Sequence, residues 1–294
     1  MNDSHCHFQN CVESLHTTLA RGGKEKYIVL GTNYHDWTSV AALAREYPNR
    51  VIPGFGIHPW FVNLVIAGEK FYNSKENEAE KVSDHSLDHK MIPPTWLNTL
   101  HEYLDEFPTA VVGEFGLDKL AIDKETKQKY NFEKQVELFK TMYSTAITRK
   151  RAMSIHCVKA HQQIFDLLQE FDSKALSKEA PFIEPYSQTV KGLALHSYSG
   201  SKEVLARILK LPTLKDKVYV GLSAFVNLRS LKKTQLVLPT IPGDKLLLES
   251  DLNDSEEAIE SMQAILSYVS EVLDIPQNQV VELANENLEK FLSF

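Results

Sequence analysis

Long apolar runs are missing from this 294-residue chain. None approaches the ~20 residues that a membrane-spanning helix needs, so no membrane partner is expected. The first residues carry no basic stretch followed by an apolar one, so no secretory signal is expected either. Cysteine is scarce. Cys6, Cys11 and Cys157 make a poor disulfide framework, and a reducing setting, cytoplasmic or nuclear, fits them better. No dense basic segment marks nuclear entry. Positive charge does not dominate: 32 Lys and Arg stand against 39 Asp and Glu, a net charge of -7. That balance disfavours a protein that coats nucleic acid non-specifically, which needs cations to neutralise phosphates. It leaves room for an enzyme that holds a few phosphates in one cleft, where bound cations add charge that a residue count misses. Internal repeats, a glycine-rich phosphate loop and a Ser-His-Asp arrangement are also lacking.

What the chain does have is rhythm. Short apolar, β-rich runs occur at residues 1–5 (weakly), 27–32, 50–57, 109–116, 152–157, 192–197, 217–223 and 244–251. Most are nearly continuous apolar segments, as expected of parallel strands buried on both faces. Helical patterns lie between them at 37–47, 93–107, 124–149, 161–171, 201–211 and 255–273, and NQVVELANENLEKFLSF reads as one more helix. Regular strand–helix alternation indicates an α/β fold. Eight strands in about 250 residues suit a (β/α)8 TIM-like barrel better than an open sheet. The expectation is one domain over 1–294 with polar surface insertions at 62–92 and 172–190. His85 and His89, inside the first insertion, read as solvated loop residues rather than ligands.

The histidines and acids fall at telling places. His5 and His7 close the first run, two positions apart, so a strand would turn both imidazoles to one side and Cys6 to the other. His58 follows run three in GFGIHPW. Glu114 lies at the end of run four, His156 ends run five, His196 ends run six and Asp251 ends run eight. Each residue alone has an ordinary structural use, as a hydrogen-bonded core histidine or a helix cap. Together, at the C-terminal ends of strands that converge on one mouth, they are costly to gather without cations to neutralise the carboxylates. Imidazole with carboxylate suits zinc, manganese or iron, and magnesium where carboxylates and water dominate. More donors are present than one four-coordinate zinc needs. A pair of divalent ions, with Glu114 able to bridge them, fits the count, and such a pair can activate water for phosphodiester cleavage.

In order, DSHCHF, GIHPW, VVGEFGLD, SIHCVKAH, LALHSYSG and LLLESD resemble the motifs of TatD-type deoxyribonucleases, in the metal-dependent hydrolase superfamily. The closing LANENLEKF resembles that family's C-terminal helix. The resemblance implies a TIM-like barrel and metal-dependent hydrolysis of DNA, often from an end. It implies that His5, His7, Glu114, His156, His196 and Asp251 are ligands to two divalent cations (Mg2+, Mn2+ or Zn2+). His58 would lie beside them, as a ligand or as a contact to a substrate phosphate. Asp251 and Glu114 would be catalytic, Asp251 accepting a proton from the attacking water. The sequence departs from the family where an Arg is common two residues after the strand-five His: Val158 stands there. Lys159 follows and can offer a point charge rather than a bidentate fork. Ser197 and Ser250 are mild replacements, and the Pro usual soon after Asp251 is missing from DLND.

Other features divide between mundane and functional uses. Arg149-Lys150-Arg151 precedes strand five, so it should lie at the end of the barrel away from the mouth, complementing a helix dipole. Arg229, Lys232 and Lys233 follow strand seven and should face the mouth as nucleic-acid contacts or as a solvated loop. Lys119 and Lys124 are weaker cases. Trp60, Phe61 and Tyr198 can stack on bases or pack the rim. Cys6 and Cys157 read as small buried hydrophobes. The reading is therefore a deoxyribonuclease, expected to be an exonuclease on single-stranded DNA or DNA ends. His58, Lys159, Arg229 and Lys232 would touch substrate. The alternatives are the same site acting on an amide or lactone, and a metal-retaining barrel that binds a protein through its insertions.

Overall fold

The computed structural model describes residues 1–75, 91–123, 127–177 and 189–293. Eight strands form one parallel sheet in chain order: β1 (Asp3–Cys6), β2 (Tyr27–Leu30), β3 (Val51–Phe55), β4 (Val111–Asp118), β5 (Met153–Val158), β6 (Leu193–Leu195), β7 (Val218–Ser223) and β8 (Leu246–Glu249). The sheet curls into a nearly closed (β/α)8 barrel. At the seam between β1 and β8, individual hydrogen bonds replace a regular ladder. Ser250 N donates to Asp3 Oδ1 at 3.0 Å, Ser4 Oγ to the Leu248 carbonyl at 3.0 Å, and Asp251 N to the His5 carbonyl at 2.9 Å.

Both faces of the strands are apolar because both are covered. Ile28, Leu30, Val111, Ala194, Tyr219 and Leu247 point into the barrel and form its floor. Their neighbours Val29, Val112, Leu193, Leu195, Val218, Val220, Leu246 and Leu248 point outward under the helices. The helices are α1 (Val12–Ala20), α2 (Trp37–Glu46), α3 (Val62–Lys75), α4 (Trp96–Glu106), α5 (Phe132–Thr148), α6 (His161–Ala175), α7 (Lys202–Ile208), α8 (Ala224–Asn227), α9 (Leu231–Val237), α10 (Ser255–Leu273) and α11 (Gln277–Leu292). α11 plugs the barrel floor with Leu288 and Phe291. Gly192 permits this approach, since a Cβ there would sit 2.7 Å from the Phe291 carbonyl oxygen. Among the described residues no helix is long and apolar enough to cross a membrane.

Several elements differ from the sequence expectation. α1 is unforeseen: its VESLHTTLA is short and carries two adjacent threonines, and packing beneath α10 stabilises it. Ser14 Oγ donates to Asp254 Oδ1 at 2.7 Å, and Thr18 and Ser255 hydroxyls meet at 2.7 Å. Asp254 also caps α10, accepting from Glu256 N and Glu257 N. The stretch after β7 is helical, as α8 and α9, rather than a plain loop. The segment 62–92 opens as α3, with Val62 and Val65 buried, and Ile92 is buried at its other end. Residues 172–175 continue α6 rather than begin an insertion. α5 starts at Phe132, not 124, because Asn131 caps it and residues 122 and 129 pair first as an antiparallel bridge. His85, His89 and Lys124 lie outside the described residues.

The basic run after α5 faces away from the mouth. Arg149 reaches the His101 carbonyl at 3.1 Å and Asp105, and Arg151 reaches the Leu104 carbonyl at 2.6 Å, so both satisfy the C-terminal end of α4.

Asn287 ties α11 to the start of β8, donating to the carbonyls of Gly243 (2.8 Å) and Leu246 (2.9 Å). Replacing Asn287 by Ala leaves these groups unpaired, so Asn287→Ala is expected to lower unfolding stability by about 2 kcal/mol in urea titration. An unchanged midpoint would show that α11 is held by Leu288 and Phe291 alone.

Candidate metal centre

The upper interior of the barrel is polar where the floor is apolar. Glu114 stands at its centre, 2 % exposed. It is the fourth of eight residues in β4 rather than the expected strand end, because Phe115–Asp118 continue to pair with β5 as far as Val158. The pairing register breaks between Val112 and Phe115, around Glu114 itself.

The two oxygens of Glu114 face different partners. Oε2 lies 3.4 Å from His5 Nε2 and 3.3 Å from His7 Nε2. Oε1 lies 2.8 Å from His156 Nδ1, 2.8 Å from His196 Nε2 and 3.6 Å from His58 Nε2. Asp251 Oδ1 completes the first side, 3.5 Å from His7 Nε2 and 3.9 Å from His5 Nε2. Three overlapping sets have donor atoms close enough to share an ion: His5, His7 and Glu114; His5, His196 and Asp251; and His58, Glu114 and His156. The six residues expected as ligands thus converge, with His58 beside them. Asp251 reaches the mouth through a left-handed backbone, φ 57°. Its Oδ2 accepts from Ser197 Oγ at 3.2 Å.

Two of the outward ring nitrogens are hydrogen-bonded, while those of His156 and His196 face carboxylates without a hydrogen bond. His7 Nδ1 donates to the Leu30 carbonyl at 2.8 Å, and His5 Nδ1 meets Ser154 Oγ at 3.0 Å. His196 Nδ1 lies 3.4 Å from Glu249 Oε1, and His156 Nε2 lies 3.7 Å from Asp118 Oδ2. A carbonyl only accepts, so His7 carries its proton on Nδ1 and turns the Nε2 lone pair inward when neutral. His58 is opposite. The Trp60 backbone N–H donates to its Nδ1 at 3.2 Å, so neutral His58 presents an N–H to the centre.

Glu249 is the residue that motif reading passed over. In LLLESD it looks like one more acid beside Asp251. It is 1 % exposed, accepts from Ser197 N and, at 3.2 Å, from Ser4 Oγ, and faces His196. Gly221 makes room for it, since a Cβ there would lie 2.2 Å from Glu249 Oε2. Its place in a buried strand was the available signal: a carboxylate there needs partners.

Charge follows the geometry. Burial resists ionisation of Glu114, but His196 and the surrounding imidazoles outweigh it and hold its carboxyl well below the usual range. Burial likewise opposes a proton on His7, yet Asp251 and Glu114 hold its pKa up at about 10. His196 is pushed well above its ordinary value, against burial, chiefly by Glu114. Burial and the neighbouring His156 push His58 down to about 3, so it stays neutral. Two ionised carboxylates amid inward-facing imidazoles form a site that needs positive charge. Protons can supply it, and so can cations. The nitrogen–carboxylate donor set fits a divalent metal ion.

The family of TatD-related DNases matches residues 2–293. The chain belongs to that family. It is therefore a TatD-type member of the metal-dependent hydrolases. It is 28% identical to the Cut9-interacting protein scn1 of Schizosaccharomyces pombe, over 99% of this chain and 98% of that one. It is 21% identical to a 3'-5' ssDNA/RNA exonuclease TatD of Erwinia tasmaniensis, over 78% of this chain and 68% of that one. Among solved structures, the TatD homologue YJJV of Escherichia coli overlays with a TM-score of 0.65 at 22% identity, covering 100% of this chain and 98% of the other. An uncharacterized amidohydrolase of Saccharomyces cerevisiae overlays with a TM-score of 0.66 at 16% identity, covering 99% of each. These overlays carry the fold.

The outer residues divide. Lys159 is exposed just past β5, beside a cavity. Arg229 stacks on Phe225, its guanidinium 3.8 Å from the ring centre, and Lys232 is exposed on α9; neither touches the carboxylate cluster. Trp60 is 46 % exposed while its indole N–H donates to Asp118 at 2.8 Å. Tyr198 packs the rim, 3 % exposed. Cys6 is fully buried, and burial pushes the Cys157 thiol up to about 12, so neither suits nucleophilic attack.

Cation binding at this centre must displace protons from His7 and His196, whose pKa values are raised. Metal affinity should therefore rise with pH. Titrating Mn2+ into EDTA-stripped protein at about pH 6 and about pH 8 should show at least ~10-fold weaker binding in acid, with proton release detectable as a buffer-dependent heat. Affinity independent of pH would place the metal elsewhere.

Proposed function

We propose that this protein is a deoxyribonuclease that cleaves phosphodiester bonds with a water activated at a two-cation centre, working from an end of single-stranded DNA. The observation that carries the reading is the division of Glu114: one oxygen faces His5 and His7, the other faces His156 and His196. Two donor sets that share one carboxylate suit two divalent cations, Mg2+, Mn2+ or Zn2+. His5, His7 and Asp251 would hold one, His156 and His196 the other, with Glu114 between. Such ions, when bound, lower the pKa of water and stabilise charge on the phosphoryl oxygens.

The protein side chains do the rest. Asp251, kept ionised by His7 and His196 against its burial, can accept a proton from the attacking water. Ser197 fixes its other oxygen. Leu30 and Ser154 orient His7 and His5 through hydrogen bonds, and Glu249 and Asp118 stand behind His196 and His156. His58 presents an N–H and stays neutral, so its role is to donate to a phosphate oxygen rather than to ligate. Exposed Trp60 offers a face for a base at the rim. The Erwinia relative's name records 3'-5' action on ssDNA and RNA, which supports an exonuclease. The proposed setting is the cytoplasm or nucleus, where the three free cysteines stay reduced. A protein partner is a second reading, because the scn1 relative is named for its interaction with Cut9.

The test is cleavage of 3'- and 5'-labelled single-stranded oligonucleotides with Mg2+, Mn2+ or Zn2+ against EDTA. Metal-dependent trimming should fall by ~10^3-fold or more in Glu114→Ala and Asp251→Ala, a loss typical of catalytic-centre residues. Metal-loaded protein that cuts no better than these variants overturns the assignment and turns attention to amides, lactones and the protein partner. A finer split concerns His58. His58→Ala should retain the full metal content, measured by atomic emission, while kcat/KM falls by about 100-fold. Loss of one equivalent of metal would instead make His58 a ligand.

A further inference from the structure

A second cavity, of about 250 Å3, opens beside the centre between the ends of β5, β6 and β7. Its walls include Lys159, His161, Ser199, Ser230 and Lys233, and among the described residues no carboxylate lines it. Val158, two residues past His156, lies on its edge and also borders the shelf of Trp60, Leu120, Ile122 and Tyr130, which Asp118 and Asp123 also line. Val158 therefore stands between the cavity and that shelf.

Its charge is one-sided. Among the described residues neither lysine forms an ion pair, although the chain has a net charge of -7. Lys233 Nζ instead donates to the Ser199 carbonyl. Lys159 adopts a left-handed backbone, φ 53°, a conformation that costs a non-glycine residue about 1 kcal/mol. His161 begins the 15-residue α6, and its buried Nε2 has no hydrogen-bond partner. Burial and then the charges of Lys233 and Lys159 push His161 down to about 4, so it is a neutral donor or acceptor. The wall is fixed: the Asn227 side-chain amide donates to the Tyr198 carbonyl at 2.9 Å and the Thr234 hydroxyl to the Asn227 carbonyl at 2.8 Å. Two lysines with no carboxylate partner among the described residues, an unsatisfied imidazole and a helix N-terminus around one small space are complementary to a compact anion. The volume falls below the ~300 Å3 at which pockets take whole drug-sized molecules, so a phosphate group suits it better than a nucleoside.

We propose that the Lys159–His161–Lys233 cavity is an anion subsite that holds a second phosphate of the substrate, next to the one cleaved at the Glu114 centre. This rests on the phosphodiesterase reading above and adds to it a preference for substrates with phosphates in series over those with a single phosphodiester. Val158, too short and apolar to reach a phosphate, then separates base and phosphate sides while Lys159 and Lys233 supply the charge.

The test compares a single-stranded oligonucleotide with bis(4-nitrophenyl) phosphate, which has one phosphate only. In metal-loaded Lys159→Gln/Lys233→Gln, kcat/KM on the oligonucleotide, relative to the one-phosphate ester, should fall at least ~10-fold through KM, as expected for lost charge-assisted hydrogen bonds. The control Lys140→Gln/Lys290→Gln removes equal charge from surface pairs with Glu170 and Glu286 and should leave the ratio unmoved. An unmoved ratio in the cavity variant, or an equal fall in the control, overturns the subsite while cleavage itself stands. A second readout does not depend on cleavage. Inorganic pyrophosphate titrated calorimetrically into EDTA-treated protein should bind, and at least ~10-fold more weakly in Lys233→Gln. Absent binding, or binding equal in the variant, overturns the subsite whatever substrate the metal centre takes. If neither ester is hydrolysed but pyrophosphate binds as expected, the nuclease reading fails and the anion subsite remains.

Discussion

Burying the Glu114 carboxylate is the constraint on which the mouth of this barrel depends. A carboxylate removed from water is costly unless charge and hydrogen bonds replace its hydration. Here the replacement comes from imidazoles carried by four different strands or strand ends. Each imidazole must then be turned correctly, which explains a further layer of partners: Leu30, Ser154, Glu249 and Asp118. The same arrangement makes protons and divalent cations compete for the charge that the carboxylates require. Thus one buried carboxylate links folding, metal affinity and the pH response of the site.

The barrel keeps these groups in place by dividing its interior. The lower layer is closed by apolar side chains and by Leu288 and Phe291 of α11. The upper layer is polar and opens to solvent. The seam matters to both layers. Asp3 receives the backbone of Ser250, and the His5 carbonyl receives that of Asp251, so these two segments fix each other's inward-facing side chains. Asp254 and Ser14 extend the closure outward to α1 and α10. A chain of hydrogen bonds therefore substitutes for the regular ladder missing between β1 and β8.

The mouth is asymmetric around that centre. On one side Trp60, Leu120 and Ile122 expose apolar surface. Across Val158, Lys159 and Lys233 concentrate positive charge. A nucleic-acid strand has the same two components, a stacking face and a charged backbone. The overall acidity of the protein does not oppose this, because screening confines the relevant field to roughly the Debye length of ~8–10 Å around each group.

The sequence by itself determined the barrel, its strand order and which acids and histidines gather at its mouth. Continuous apolar runs alternating with helices allow few burial schemes, and acids or histidines at the ends of those runs converge once the strands are parallel. Local pattern was insufficient for α1, α8 and α9, whose stability comes from contacts with α10 and the barrel rather than from their own periodicity. It placed Glu114 at a strand end, whereas pairing with β5 carries β4 four residues further. Only the tertiary structure decided which way each imidazole points, that His58 shows a proton where His7 shows a lone pair, and that Lys233 rather than Lys232 shares a cavity with Lys159. Those outcomes depend on Leu30, Trp60 and Ser199, which are distant in sequence or contribute only backbone atoms. Hydrogen bonds to backbone groups leave no mark in residue type, so no motif could have recorded them.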